Sequence, residues 1–144
     1  MLAVIDTNEL IRMASTWRVP ESPLLTAWRK KRFGLVWSEA MLDEFERVAD
    51  GPRLRRRLPE ENVRQFVAFA RKWAVWVKPY AGADMPHCRD AKDDVVIATA
   101  IAAHAPFIVT NDNDLRDPAL AARLREEYGI RVMWPGEFLE ALRN

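Results

Sequence analysis

Val4-Ile5-Asp6-Thr7-Asn8 decides the fold: an apolar run breaks at an aspartate and then at two residues that favour helix starts. The stretch Ile108-Val109-Thr110-Asn111-Asp112-Asn113-Asp114 repeats the pattern far along the chain. In an open α/β sheet the side chains just beyond the carboxyl ends of strands point into a crevice. Two parallel strands ending this way, side by side, make Asp6 and Asp112 neighbours.

Working outward from the first stretch, residues 2–6 predict a strand, and Thr7-Asn8 is expected to cap a helix carrying Leu10, Ile11 and Ala14 on one face. Ser22-Pro23 suits the start of a helix running to about Arg32, with Gly34 ending it before a second strand at Leu35-Val36-Trp37. Ser38 caps the next helix, which carries Met41, Leu42, Phe45, Val48 and Ala49 on one face and Glu44 on its flank, and Asp50-Gly51-Pro52 stops it. Pro59-Glu60-Glu61 opens the longest helix, with Val63, Phe66, Val67, Phe69, Ala70 and Trp73 as its apolar stripe.

Ala74 to Val77 predicts a third strand, and Tyr80 to Arg89 a loop. Asp90 to Asp94 then leads into Val96, Ile97, Ala100, Ile101 and Ala103, apolar enough to be buried between layers. Phe107 to Thr110 is a fourth strand, Pro118 starts a helix that ends at Tyr128-Gly129, Ile130 to Trp134 is a fifth, and a last helix begins at Pro135. Repeated strand-then-helix order implies an α/β fold with a mostly parallel sheet and helices on both faces. No repeat or linker divides residues 1–144, so a single domain is expected.

Composition narrows the function classes. An apolar content of 49%, with six Trp and six Phe, can bury a core and argues against disorder. A single cysteine, Cys88, allows no internal disulfide, and neither a signal peptide nor a membrane span is legible, so the default expectation is cytoplasmic. His87, Cys88 and His104 are too few and too scattered for structural zinc, and no Gly-rich phosphate loop occurs.

A net charge of +1 conceals two opposite regions: residues 21–72 carry 12 Lys/Arg against 8 Asp/Glu, and residues 84–117 carry 7 Asp against 3 Lys/Arg. Arg29, Lys30, Lys31 and Arg32, and then Arg53, Arg55, Arg56 and Arg57, are candidate contacts for an anionic polymer such as RNA. Basic runs are also ordinary solvated surface, and it is their pairing with an acidic cluster that gives them weight. Four acids, Asp6, Glu44, Asp93 and Asp112, sit where strands end or helices begin, with Asp90 and Asp94 competing with Asp93 for the third place. Gathered carboxylates repel and require cations or protons, and Mg²⁺ or Mn²⁺ suits hard oxygen ligands. Taken singly, an Asp at a helix start is more often a cap than a ligand.

The segments Val4 to Asn8, Ser38 to Val48, Arg89 to Asp94, and Val109 to Leu115 resemble, in order and spacing, the PIN-domain ribonucleases. The likeness spans nearly the whole chain and looks closest to the toxin (VapC-like) branch of toxin–antitoxin pairs, including the arginine window and the ending Val132 to Leu139. The resemblance implies a three-layer α/β/α sandwich with about five strands. It implies Asp6, Glu44, Asp93 and Asp112 as catalytic metal-binding acids, with Asp114 a further ligand. Thr7, Asn8 and Thr110 match polar positions that orient carboxylates or water. It further implies a Mg²⁺- or Mn²⁺-dependent endoribonuclease, a cognate antitoxin and a homodimer. Asn111 stands where a glycine is common, and Lys92 where an acid often stands.

Other readings fit less well. A haloacid-dehalogenase phosphatase needs an Asp at position 8, where Asn8 stands, and a receiver domain needs an acidic pair ending the first strand. A non-catalytic RNA- or partner-binding module on the same fold is the alternative of another class. Of the Trp residues, Trp28, Trp37, Trp73, Trp76 and Trp134 read as core, and Trp17, in a loop, as the candidate for stacking on a base.

Overall fold

The computed structural model describes residues 1–18 and 20–143. Five strands form one all-parallel sheet in the order β3-β2-β1-β4-β5: β1 (Leu2–Ile5), β2 (Gly34–Trp37), β3 (Val75–Trp76), β4 (Phe107–Val109) and β5 (Arg131–Met133). The helices are α1 (Thr7–Ser15), α2 (Pro23–Arg29), α3 (Glu39–Ala49), α4 (Glu60–Trp73), α5 (Asp94–Ala103), α6 (Pro118–Tyr128) and α7 (Pro135–Arg143), with a 3-10 turn at Ala91–Asp93 leading into α5. None of the helices is long and apolar enough to cross a membrane, among the described residues.

The central strand β1 pairs Val4 with Val36 on one side and with Ile108 on the other. Its Ala3, Val4 and Ile5 are wholly buried, as expected of a parallel strand covered on both faces. Strand order reverses between β1 and β4, so the crevice beyond their carboxyl ends is the point at which such sheets bind ligands. Right-handed crossovers place α1 to α4 on one face and α5 and α6 on the other. The alanine-rich α5 packs against β1, β2 and β4.

Aromatic rings fill the layer between α1 to α4 and the sheet. Phe66 lies against Trp17, Trp28, Trp37 and Phe45 with ring centres 5.5–5.9 Å apart. Trp17 is therefore core, and not the exposed stacking residue that its loop position suggests: it meets Phe66 and Phe69 edge-on and donates its indole N–H to Gln65. Conversely Trp73 and Trp134, expected in the core, are half-exposed at 48% and 47%. Buried Asn62 of α4 donates to the Ala14 carbonyl at the end of α1, which fixes those two helices together.

Strands β1, β3, β4 and β5 are one or two residues shorter than the sequence expectation, and two helix boundaries also differ from it. The cap of α1 is Asp6 itself, whose carboxylate accepts the Asn8 backbone N–H, so Thr7 and Asn8 lie inside the helix. Helix α2 stops at Arg29 because Lys31 takes a left-handed conformation, φ 60°. The Lys31 N–H then bonds the Trp28 carbonyl and the Arg32 N–H the Ala27 carbonyl, the reversal usually made with glycine.

Candidate metal centre

Asp6 follows β1 and is 6% exposed. Its backbone N–H continues the ladder to the Val109 carbonyl, which ties the carboxyl ends of β1 and β4 together. Its carboxylate accepts from the Asn8 N–H at 2.7 Å through Oδ1 and from the Thr110 hydroxyl through Oδ2. The same Thr110 oxygen accepts the Asp112 N–H at 2.9 Å, and the Thr110 N–H reaches the Met133 carbonyl at the end of β5. One threonine thus orients Asp6 and the turn bearing Asp112. Burial pushes the Asp6 carboxyl above its ordinary value, against the lowering effect of the Thr110, Asn8 and Glu9 hydrogen bonds.

Asp93 approaches from the other side, on the 3-10 turn before α5. Burial first, then the carboxylates of Asp112, Asp90 and Asp6, push its carboxyl up to about 7. Glu44 comes from the second turn of α3. That helix is anchored by the buried Ser38 hydroxyl, which lies 3.0 Å from the Thr99 hydroxyl of α5, so α3 and α5 hold fixed positions relative to each other. Asp6, Glu44, Asp90, Asp93 and Asp112 line one crevice of about 180 Å³ together with Thr7, Asn8, Val48 and Lys92. Oxygens of Asp90, Asp93 and Asp114 also lie within 4.8 Å of one another, so Asp90 and Asp93 belong to both groupings.

Of the three acids that compete in sequence for the third place, Asp94 is committed elsewhere. Its carboxylate accepts the Cys88 N–H at 2.6 Å and pairs with His87 at 2.8 Å, holding the loop before α5. Asp90 accepts the Lys92 N–H at 3.0 Å and caps the 3-10 turn, yet still borders the crevice. Asp93 has no such backbone partner among the described residues. The Cys88 thiol, 4.0 Å from Asp93, is pushed up to about 11 by burial and by Asp93, Asp114 and Asp112, so it stays a neutral thiol.

The donor set fits a hard divalent cation: the titratable oxygens are carboxylate, and burial and the neighbouring carboxylates push the Asp93 carboxyl up to about 7. Glu44 has a partial substitute in Arg47, 2.9 Å away. For Thr7 and Asn8, it is the Asn8 backbone and not either side chain that bonds Asp6. Sequence reasoning missed Glu9, a buried acid of α1 that accepts the Asn111 amide at 2.7 Å and pairs with Arg12. The signal was available in Asp6 and Glu9 at capping-box spacing. Asn111 in place of a glycine thus ties the turn after β4 to α1.

The basic windows fall in different places. Arg53, Arg55, Arg56 and Arg57 are exposed, and Arg55 lies beside Ala49 and Asp50, the end of the helix whose Val48 lines the crevice. Arg29, Lys31 and Arg32 lie beside Met1 and Gly34, at the amino end of the sheet. The acids and this second window are therefore separated by the length of β1, roughly 13 Å by the rise of a strand.

The profile of the PIN-domain family matches residues 3–114, which contain all of the acids described above, and the chain belongs to that family. PIN domains are generally nucleases and typically bind divalent metal ions. No curated protein matches the chain.

Proposed function

We propose that this PIN domain is a Mg²⁺- or Mn²⁺-dependent endoribonuclease and the toxin of a toxin–antitoxin pair. The observation that carries the reading is the convergence of Asp6, Glu44, Asp93 and Asp112 on one crevice at the strand-order switch. Asp6, Asp93 and Asp112 would hold the ion, with Glu44 and Asp114 completing its surroundings. A bound divalent ion lowers the pKa of water and stabilises charge on a phosphodiester under in-line attack.

The chain's own residues set the rest. Asp6, fixed by Thr110 and Asn8, presents its oxygens in one orientation, and Asp93, whose carboxyl is raised by burial and neighbouring acids, would exchange a proton for a bound cation. Arg53 to Arg57 hold flanking phosphates of single-stranded or structured RNA, whereas Arg29 to Arg32, at the far end of the sheet, attract the polymer without touching the phosphate being cut. A cognate antitoxin would present an arginine to the same carboxylates and so compete with metal, and the toxin itself is proposed to be a homodimer.

Replacing Asp6 by Asn and assaying cleavage of total cellular RNA, with and without chelator, tests the reading. Loss of cutting in both, with an unchanged fold, supports it; wild-type cutting in both overturns it. The alternative, a non-catalytic RNA- or partner-binding module, is favoured by Lys92, an exposed cation of the chain itself that borders the crevice. A calorimetric Mn²⁺ titration separates the two, because that module leaves its acids unmetallated.

A further inference from the structure

Trp134 is half-exposed at the carboxyl edge of the sheet, directly after Met133, whose carbonyl receives the Thr110 N–H. The guanidinium of Arg116 lies 3.5 Å from the centre of its ring. Arg116 is one turn beyond Asp112, whose carbonyl accepts its backbone N–H at 3.1 Å. Asp112, Asp114 and Asp117 are close in sequence, yet among the described residues Arg116 has no carboxylate within ion-pair distance. The indole holds the guanidinium in place without neutralising its charge. A shallow groove of about 520 Å³ opens here, lined by Asn111, Trp134, Pro135, Gly136 and Glu137. The Glu137 carboxylate accepts the Trp134 N–H at 3.2 Å, which fixes the start of α7 and the base of the indole.

We infer that Trp134 and Arg116 form a nucleotide subsite beside the acidic crevice, in which an unstacked base lies on the indole face that Arg116 does not cover and the adjoining phosphate meets the guanidinium. Strands β1, β4 and β5 are successive neighbours, so the end of β5 is roughly 10 Å from the end of β1 at ordinary strand spacing, within a nucleotide or two of the acids. One indole face and an unpaired, planar cation are the two features by which proteins hold single strands without reading their sequence. A duplex keeps its bases stacked and has none to offer, so the subsite selects single-stranded RNA. The inference rests on the ribonuclease reading for the identity of the polymer, but binding and cutting can be measured apart.

The test is anisotropy of a fluorescein-labelled single-stranded oligoribonucleotide of mixed sequence, titrated with the full chain in EDTA so that no cleavage occurs. Trp134→Leu, which keeps an apolar side chain but no ring, is expected to weaken Kd roughly five- to 150-fold, the range for one stacked base. Trp134→Phe should recover a substantial part of this. Arg116→Ala should lower the slope of log K against log salt by about 0.7, whereas Trp134→Phe leaves the slope unchanged. Equal affinity of Trp134→Leu and wild type, or equal wild-type affinity for a duplex of the same length, overturns the subsite. Parallel assays with Mn²⁺ separate the two ideas: RNA bound through Trp134 but never cut overturns the hydrolytic reading alone, and RNA cut and bound without regard to Trp134 overturns the subsite alone.

Discussion

At the carboxyl end of the sheet, Asp93 is raised to about 7 by burial and by the acids around it; at the amino end, Arg29 lies 4.6 Å from the ring centre of Trp17 and Lys31 4.9 Å from that of Trp73. The cations rest on aromatic faces supplied by the same chain, and Arg29 also pairs with Glu21. The acids have little such compensation, since Glu44 has Arg47 and Glu9 has Arg12, but Asp6, Asp93 and Asp112 have no ion-pair partner among the described residues. Charge that a fold gathers and leaves uncompensated is held ready for something from outside. Cations at both ends rest on rings of the chain itself, Arg116 on Trp134 included, whereas the central acids of the carboxyl end have no counter-charge within ion-pair distance among the described residues.

The largest effect that tests this contrast is catalytic. Asp6→Asn and Asp93→Asn should each lower RNA cleavage by about a thousandfold or more, given the several kcal/mol that a bound ion supplies to phosphodiester hydrolysis. Lys31→Ala with Arg32→Ala should cost far less in the same assay. A larger drop from the amino-end pair than from Asp93→Asn would invert the comparison.

Stability should separate the ends next. A carboxyl whose folded pKa lies above its unfolded value binds more protons in the native state, so its contribution falls as pH rises from about 4 through about 7. Metal-free protein should therefore melt lower at pH 8 than at pH 5, apart from other groups, and Asp93→Asn should flatten that decline and raise the melting point at pH 8. Mn²⁺ at a hundred times its Kd adds about 2.7 kcal/mol, or roughly 5 to 10 °C, to the wild type. A melting curve indifferent to both pH and Mn²⁺ would show that the acids need no partner.

A smaller effect distinguishes the two basic windows. Converting Arg55, Arg56 and Arg57 together to alanine should flatten the salt dependence of RNA binding by about 0.7 for each phosphate no longer neutralised, and the Arg29 to Arg32 window should change it less. Smallest of all is Lys31→Gly, monitored by urea unfolding. Relief of the left-handed backbone is offset by removal of the ammonium from the Trp73 ring and by the greater freedom of unfolded glycine, leaving a net change within about 1 kcal/mol.

Which parts are legible in the sequence follows from which interactions are local. Asp6 and Asp112 can be read because an apolar strand that ends in a carboxylate is a short-range pattern, and Gly129 because a left-handed helix end favours glycine. Lys31 makes the same reversal without the glycine, so the sequence favours a helix through Arg32. Trp17 reads as a free loop ring because its partners Phe66 and Phe69 are supplied by α4, some fifty residues on. Trp73 and Trp134 read as buried because they stand in or beside regular elements, whereas each lies at an element's end, Trp73 closing α4 and Trp134 following β5, where it stays half-exposed. The separate commitments of Asp90, Asp93 and Asp94 depend on the path of the loop before α5, which periodicity does not describe.

The hydrogen bond from Thr110 to Asp6 joins residues 104 positions apart. While the chain is being synthesised, β1 emerges early but cannot pair with β4 until more than a hundred residues have followed it. Before that closure Asp6 has no Thr110 to orient it and no Asp112 or Asp93 beside it. The crevice is thus absent throughout most of translation, and the carboxylates that line it meet only once the sheet has closed. Long-range pairing, which makes such sheets slow to fold, thereby also sets the moment at which the crevice first exists.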